Sequence, residues 1–161
     1  WSGGPGHINT FDSDGLVSRN NNDLNNKSND AGMRLYYETI NNGDSLSQFN
    51  HPGTQYGDFK AFSGYDPKLD GAISLIEVGS GAGSEYKTAY DAYIQALDKG
   101  WHLAPTNNQN NHAGNFGDAG PGRTVILAEN LTEQALLAAM KARRVYATED
   151  SDLRIHYTLD G

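Results

Sequence analysis

The stretch DGAISLIEVGSGAG, residues 70–83, constrains the fold more than any other part of the chain. Its apolar run, 72–78, lies between glycine-rich turns and has only Ser74 and Glu77 as polar interruptions. A strand with one wet face would alternate in polarity. This one needs cover on both faces, which a chain achieves by pairing parallel strands and packing helices against them. The remaining text supplies such partners. Residues 31–43 carry Leu35, Tyr36 and Ile40 near helical spacing, with Asp30 placed as an N-cap and NNG as a stop, and SLSQF, 45–49, is a short strand. Residues 84–100 predict a helix capped by Ser84, with Tyr86, Ala89, Tyr90, Tyr93, Ile94 and Leu97 as one apolar stripe ending at Gly100. WHLAPT, 101–106, and RTVILAE, 123–129, predict strands, the second one buried. Residues 131–144 predict a helix capped by Thr132 with basic residues in its last turn, and VYATED and LRIHYTLDG close the chain as strands. Strand alternating with helix makes the class α/β with mainly parallel strands.

The 161 residues are enough for one domain and too few for two. A formal charge of -8 argues against nucleic acid and anionic membranes as partners, since both reward clustered Lys and Arg, and only 141–144 holds such a cluster. With no cysteine there is no disulfide framework, thiolate site or cysteine nucleophile, so any metal must be held by His, Asp, Glu or Asn. No apolar run approaches the about 20 residues of a membrane helix. The opening WSGGPGH, without Met, predicts that residues precede it, and the Asn/Asp-rich tract 18–30 reads as a surface loop. A secreted or cell-surface location is expected from the Asn-rich, cysteine-free composition.

Ligand sites in parallel α/β folds gather at the C-terminal ends of the strands. Three notable features fall there: His51 after SLSQF, Glu77 at the close of 72–78, and the Asn- and His-rich loop within 100–117, which contains Asn110 and His112. Pro52 and Gly53 fix a tight turn behind His51 and aim it at the strand edge; a capped loop histidine is the plainer alternative. His112 is equally readable as a solvated loop residue. His102 is expected to pack or hydrogen-bond, and His156 to point outward from a strand. A carboxylate at Glu77, closing a buried strand, needs either a salt bridge or a cation. These positions together are a candidate metal site, because a bound divalent cation lowers the pKa of water toward about 7.

The ordered set GHINTF, QFNHPGTQYGDF, LIEVGSG, LDKGWHLAPTNNQNNHAGNFG and RTVILAENLTEQALLAAMKARRVYATED resembles the C-terminal half of the PHP (polymerase and histidinol phosphatase) metallohydrolases, in their CehA/McbA branch. The resemblance covers nearly the whole chain. It implies part of a distorted (β/α)7 barrel, a site for divalent metal (Zn, Mn or Fe), and metal-assisted hydrolysis of a small-molecule phosphate ester without a serine or cysteine nucleophile. Carried over by motif, His7, His51 and His112 are metal ligands, as is Asn110, which stands where the family has Asp and brings no negative charge. Glu77, with His51, is a candidate for the catalytic machinery, and Arg123 and Arg144 are candidates for a substrate phosphate. The family's opening His-x-His pair is missing, which predicts a fragment or a degenerate member, with an N-terminal half elsewhere, or a homodimer, covering open strand edges. The rival expectation is a non-catalytic binding module whose rim aromatics Tyr56, Phe59 and Tyr65 meet a carbohydrate or protein.

Overall fold

The computed structural model describes residues 2–3, 5–13, 30–53 and 56–159. The loop expected over 18–30 lies outside them apart from its last residue, and the capping role expected of Asp30 rests on a side chain that is also outside. In chain order the elements are β1 (Ser2–Gly3), β2 (Gly6–Phe11), α1 (Asp30–Asn41), β3 (Leu46–Asn50), β4 (Leu75–Ser80), β5 (Lys87–Thr88), α2 (Tyr90–Asp98), β6 (Ala104–Asn108), β7 (Arg123–Ile126), α3 (Glu133–Lys141) and β8 (Val145–Thr148).

The apolar run became β4, and every residue of that strand is buried. It starts later than expected because Pro67–Ala72 winds as a 3-10 helix, with the Asp66 side chain accepting from the Lys68 amide at 2.9 Å and Pro67 setting the first turn. β4 lies between parallel partners, β3 on one edge and β6 on the other. β2 joins antiparallel to β3, and β1 antiparallel to β2. β7 and β8 form a separate antiparallel pair packed near β6. The fold is therefore mixed α/β with a parallel centre, and no closed barrel forms among the described residues.

Registers divide the sheet into two faces. On one, Ile8, Phe49, Ile76 and Val78 pack with Tyr36, Tyr37 and Ile40 of α1 and with Trp101, giving an aromatic core in which Phe49 meets Tyr37, Phe59, Phe62 and Trp101. The opposite face changes character along its strands. At one end Phe11, Leu46, Leu75 and Ala104 pack under α3 and the β7–β8 pair through Met140, Val145, Ile126 and Leu137. Toward the other end, the registers that pair His7 with Asn50, Gln48 with Leu75 and Glu77 with Thr106 put polar residues on the same face.

Several expectations need correction. α2 begins at Tyr90, and Ser84 caps nothing: it sits in a 3-10 turn, Gly83–Glu85, after which Lys87 and Thr88 pair with β4 at Ser80 and Gly79. That detour rotates the helix, so Tyr90, Ile94 and Leu97 are exposed while Ala96 is buried. β7 is only half-buried, being one strand of a two-stranded pair. Residues 153–159 form no strand and are exposed, because no neighbouring strand pairs with them. Phe59 is a core residue at 0% exposure, and Tyr65 packs on Trp101, which leaves Tyr56 as the rim aromatic. The helices α1 and α3 match the sequence reading, with Thr132 Oγ1 accepting from the Ala135 amide. No described helix is long and apolar enough to cross a membrane.

Candidate metal centre

β3, β4 and β6 run parallel, so their C-terminal ends share one edge of the sheet. β2 runs the other way, so its beginning reaches that same edge and His7 lies opposite Asn50. A residue before β2's midpoint and a residue after β3's end thus become neighbours. The His7 and His51 rings meet edge to face with centroids 5.0 Å apart. Tyr56 stacks on His7 at 4.9 Å and tilts against His51 at 5.0 Å.

His51 sits where the chain leaves the sheet. Its φ of 30° is unusual for a non-glycine residue, and Pro52 follows it, which itself disfavours compact conformations at the preceding residue. The local geometry is held by Glu77, whose Oε2 accepts the His51 backbone N–H at 2.5 Å. Glu77 thereby occupies the stretch of β4's edge between β3, paired at Leu75 and Ile76, and β5, paired at Gly79 and Ser80. It is 3% exposed. Burial pushes its carboxyl above the ordinary range, opposed by hydrogen bonds from the His51 backbone, Ser80 and Asn108. Burial, and next the neighbouring His7, hold the His51 imidazolium below its ordinary pKa, opposed by a hydrogen bond of the ring to the residue's own backbone, so the ring is neutral at pH 7 and fit to act as a ligand.

Beyond this pair opens a cleft of about 670 Å³, whose described lining includes His51, Tyr56, Ser80, Lys87, Asn110 and His112. The far wall is the Asn-rich loop, and its composition has a structural cause. Asn111 accepts from the Ala113 amide and donates to Asn115, while the Gln109 amide group bonds Gly120 and Ala119. Asn110 adopts the left-handed conformation, φ 44°, which Asn tolerates better than most residues. Below, on the polar end of the sheet face, Thr106 donates to Gln48, Gln48 donates to Asn50, and Asn108 donates to Thr106. This ladder, buried at Gln48 and Thr106, satisfies groups that burial would otherwise penalise.

The structure therefore joins His7, His51 and Glu77 in one cluster and sets Asn110 and His112 on the cleft that His51 also lines. His7 and Glu77 are not among the residues lining that cleft. Arg123 donates to the Gly120 and Gly122 carbonyls of its own loop, and Arg144 is exposed outside the lining. His102 hydrogen-bonds Asp70 at 3.1 Å, as expected of it, though outside any strand. His156 is exposed in the extended tail.

Sequence reasoning missed Lys87, the only Lys or Arg in the cleft's described lining, because it assigned that stretch to a helix. It also missed the ladder, whose signal was present: Gln48 and Asn50 alternate with Ser47 and Phe49. As a test of metal fit, two imidazoles side by side, one of them neutral, suit a divalent cation in donor type. Three or more His, Asp or Glu side chains do not gather as a metal-binding group among the described residues. Comparison with models of protein families, with curated proteins and with solved structures finds no match for this chain.

Proposed function

We propose that this chain is the C-terminal part of a PHP-type, metal-dependent hydrolase of phosphate esters, a portion of a distorted (β/α)7 barrel. The observation that carries the reading is convergence: His7 on β2 and His51 just past the end of antiparallel β3, far apart in sequence, pack ring to ring at the edge where Asn110 and His112 line the facing loop. His7 and His51 would hold a divalent cation (Zn, Mn or Fe), with His112 and Asn110 approaching from across the cleft and further ligands supplied by the N-terminal half. When bound, the cation supplies Lewis-acid activation of water and charge neutralisation at the ester oxygens.

The chain's own residues have separable tasks. Glu77 acts as a positioning residue: it fixes the His51 backbone from beneath and does not face the cleft. Tyr56 covers both imidazoles and limits water around them. Lys87 places a positive charge on the cleft wall for an anionic ester.

The rival reading is a non-catalytic binding module on the same scaffold, in which the half-exposed rim aromatic Tyr56 would meet a carbohydrate or protein. Metal content separates the two. Purified chain loaded with Zn²⁺, Mn²⁺ or Fe²⁺ and desalted is expected to retain about one equivalent by elemental mass spectrometry, falling toward zero in His51→Ala. Asn110→Asp, whose backbone conformation Asp also tolerates, is expected to tighten retention about tenfold through its added charge. Hydrolysis of an aryl phosphate by the metal-loaded chain or by Asn110→Asp supports the esterase. No retained metal in either the original chain or Asn110→Asp contradicts it.

A further inference from the structure

A second, smaller pocket lies apart from the histidine cleft and shares no described lining residue with it. It measures about 200 Å³ and is walled by Tyr86, Tyr90, Tyr93, Val78, Pro105 and Glu149 among others. That is below the about 300 Å³ at which sites for drug-sized ligands begin, so it suits a compact headgroup.

Each of the three tyrosines is tethered through its hydroxyl. Tyr86 and Tyr90 both donate to Glu149 Oε1, at 3.1 and 3.0 Å, and Tyr93 donates to the Leu103 carbonyl at 3.2 Å. Asn107 donates to the Tyr86 oxygen at 3.0 Å and to the Thr148 carbonyl at 2.9 Å, fastening the arrangement to β6 and β8. Gly79 makes room for it, since a Cβ there would collide with the Tyr86 hydroxyl and the Asn107 amide. Burial first, and then Glu149, push the Tyr86 hydroxyl up to about 12, and the same causes raise Tyr90, so both remain donors rather than phenolates. Tyr90 is held in this way although 51% exposed, where a free aromatic side chain would gain little by being fixed.

Three fixed aromatic rings, one carboxylate and no Lys, Arg or His in the described lining form a site with one electrostatic preference. We propose that this pocket binds a small organic cation of the quaternary ammonium class, its methyl groups against the tyrosine rings and its charge facing Glu149. Ring faces attract such cations through their quadrupole, and donation of the phenol proton to a carboxylate enriches the ring further. The chain's charge of -8 adds long-range attraction of the same sign. The assignment stands whether or not the histidine cluster holds metal.

The test is a titration of the purified chain with choline chloride, followed by backbone amide NMR, beside the uncharged isostere 3,3-dimethyl-1-butanol. Saturable shifts are expected at residues 86–93 and 147–149, with the neutral isostere at least about tenfold weaker. Tyr90→Leu, at an exposed position that should leave the fold intact, is expected to lose at least about tenfold in affinity, and Glu149→Gln a similar factor. Tyr90→Phe, which keeps the ring, should stay within about threefold. Thermal melts of each variant check that folding is retained. Equal binding of choline and its neutral isostere, shifts located elsewhere, or no saturation by about 10 mM choline would overturn the proposal.

Discussion

The two faces of the central sheet are built from the same strands yet follow opposite rules. One face presents Ile8, Phe49, Ile76 and Val78 to an aromatic core sealed by α1 and Trp101. The other begins apolar under α3 and ends in His7, Asn50, Glu77 and Thr106, where Gln48, Glu77 and Thr106 are as deeply buried as the core yet polar. A strand that needed only stability would carry apolar side chains on both covered faces. The difference teaches that one face holds the protein together, and that the far end of the other holds polar groups in fixed positions beneath a cleft.

Truncation in the aromatic core should have the largest effect. Phe49→Ala removes a fully buried ring that touches four others and is expected to cost about 3–5 kcal/mol in urea unfolding. Thr106→Val keeps the shape but deletes the hydroxyl that bonds Gln48, Ile76 and Asn108, at an expected cost of about 1–2 kcal/mol. If the two costs proved equal, the division between the faces would fail.

Glu77 sharpens the contrast through pH. Its folded pKa lies above its ordinary 4.5, so the folded state holds the proton more tightly than the unfolded chain does. The associated stability is full below the ordinary value and is lost as pH rises through the folded pKa. In chelator-treated protein, Glu77→Gln should therefore gain on the original chain with rising pH across that window, as measured by chemical unfolding. A flat difference would show that Glu77 is not destabilised by its burial.

Away from both faces, Asp70 accepts from the His102 amide and from Arg143 and lies within 3.1 Å of the His102 ring, tying the first 3-10 helix to the start of β6 and the end of α3. With His102 69% and Arg143 31% exposed, solvent screening reduces this tie, and Asp70→Asn should cost about 0.5–1 kcal/mol. The smallest effect is expected on the outer side of α2, where Ile94→Ser at a 56% exposed position should fall within about 0.5 kcal/mol in the same assay.

That last position shows where the sequence stops being readable. Tyr36 and Ile40 of α1 and the cap at Thr132 could be placed from spacing and capping chemistry, because those are local properties. The stripe of Tyr90, Ile94 and Leu97 had the same spacing but faces outward, since the orientation of α2 depends on Lys87 and Thr88 pairing with β4, a contact that periodicity cannot see. The site divides similarly. The place of His51 at the strand edge was legible from the Pro-Gly turn behind it, but that of His7 beside it was not legible without the antiparallel pairing of β2 with β3. The reach of Glu77 to the backbone of His51 was not, because it depends on β3 ending short of β4. Nor was the pocket of three tyrosines, which joins α2 to a residue following β8.

The central claim is that His7 and His51 form one cation-facing pair, with His112 across the cleft and His102 and His156 uninvolved. Histidine ring ¹H–¹⁵N NMR during a Zn²⁺ titration tests it most directly. The account predicts that His7 and His51 shift together and saturate at about one equivalent, while His102 and His156 remain unmoved. Zinc shifts spread evenly over all five histidines, or confined to His102 and His156, would contradict it.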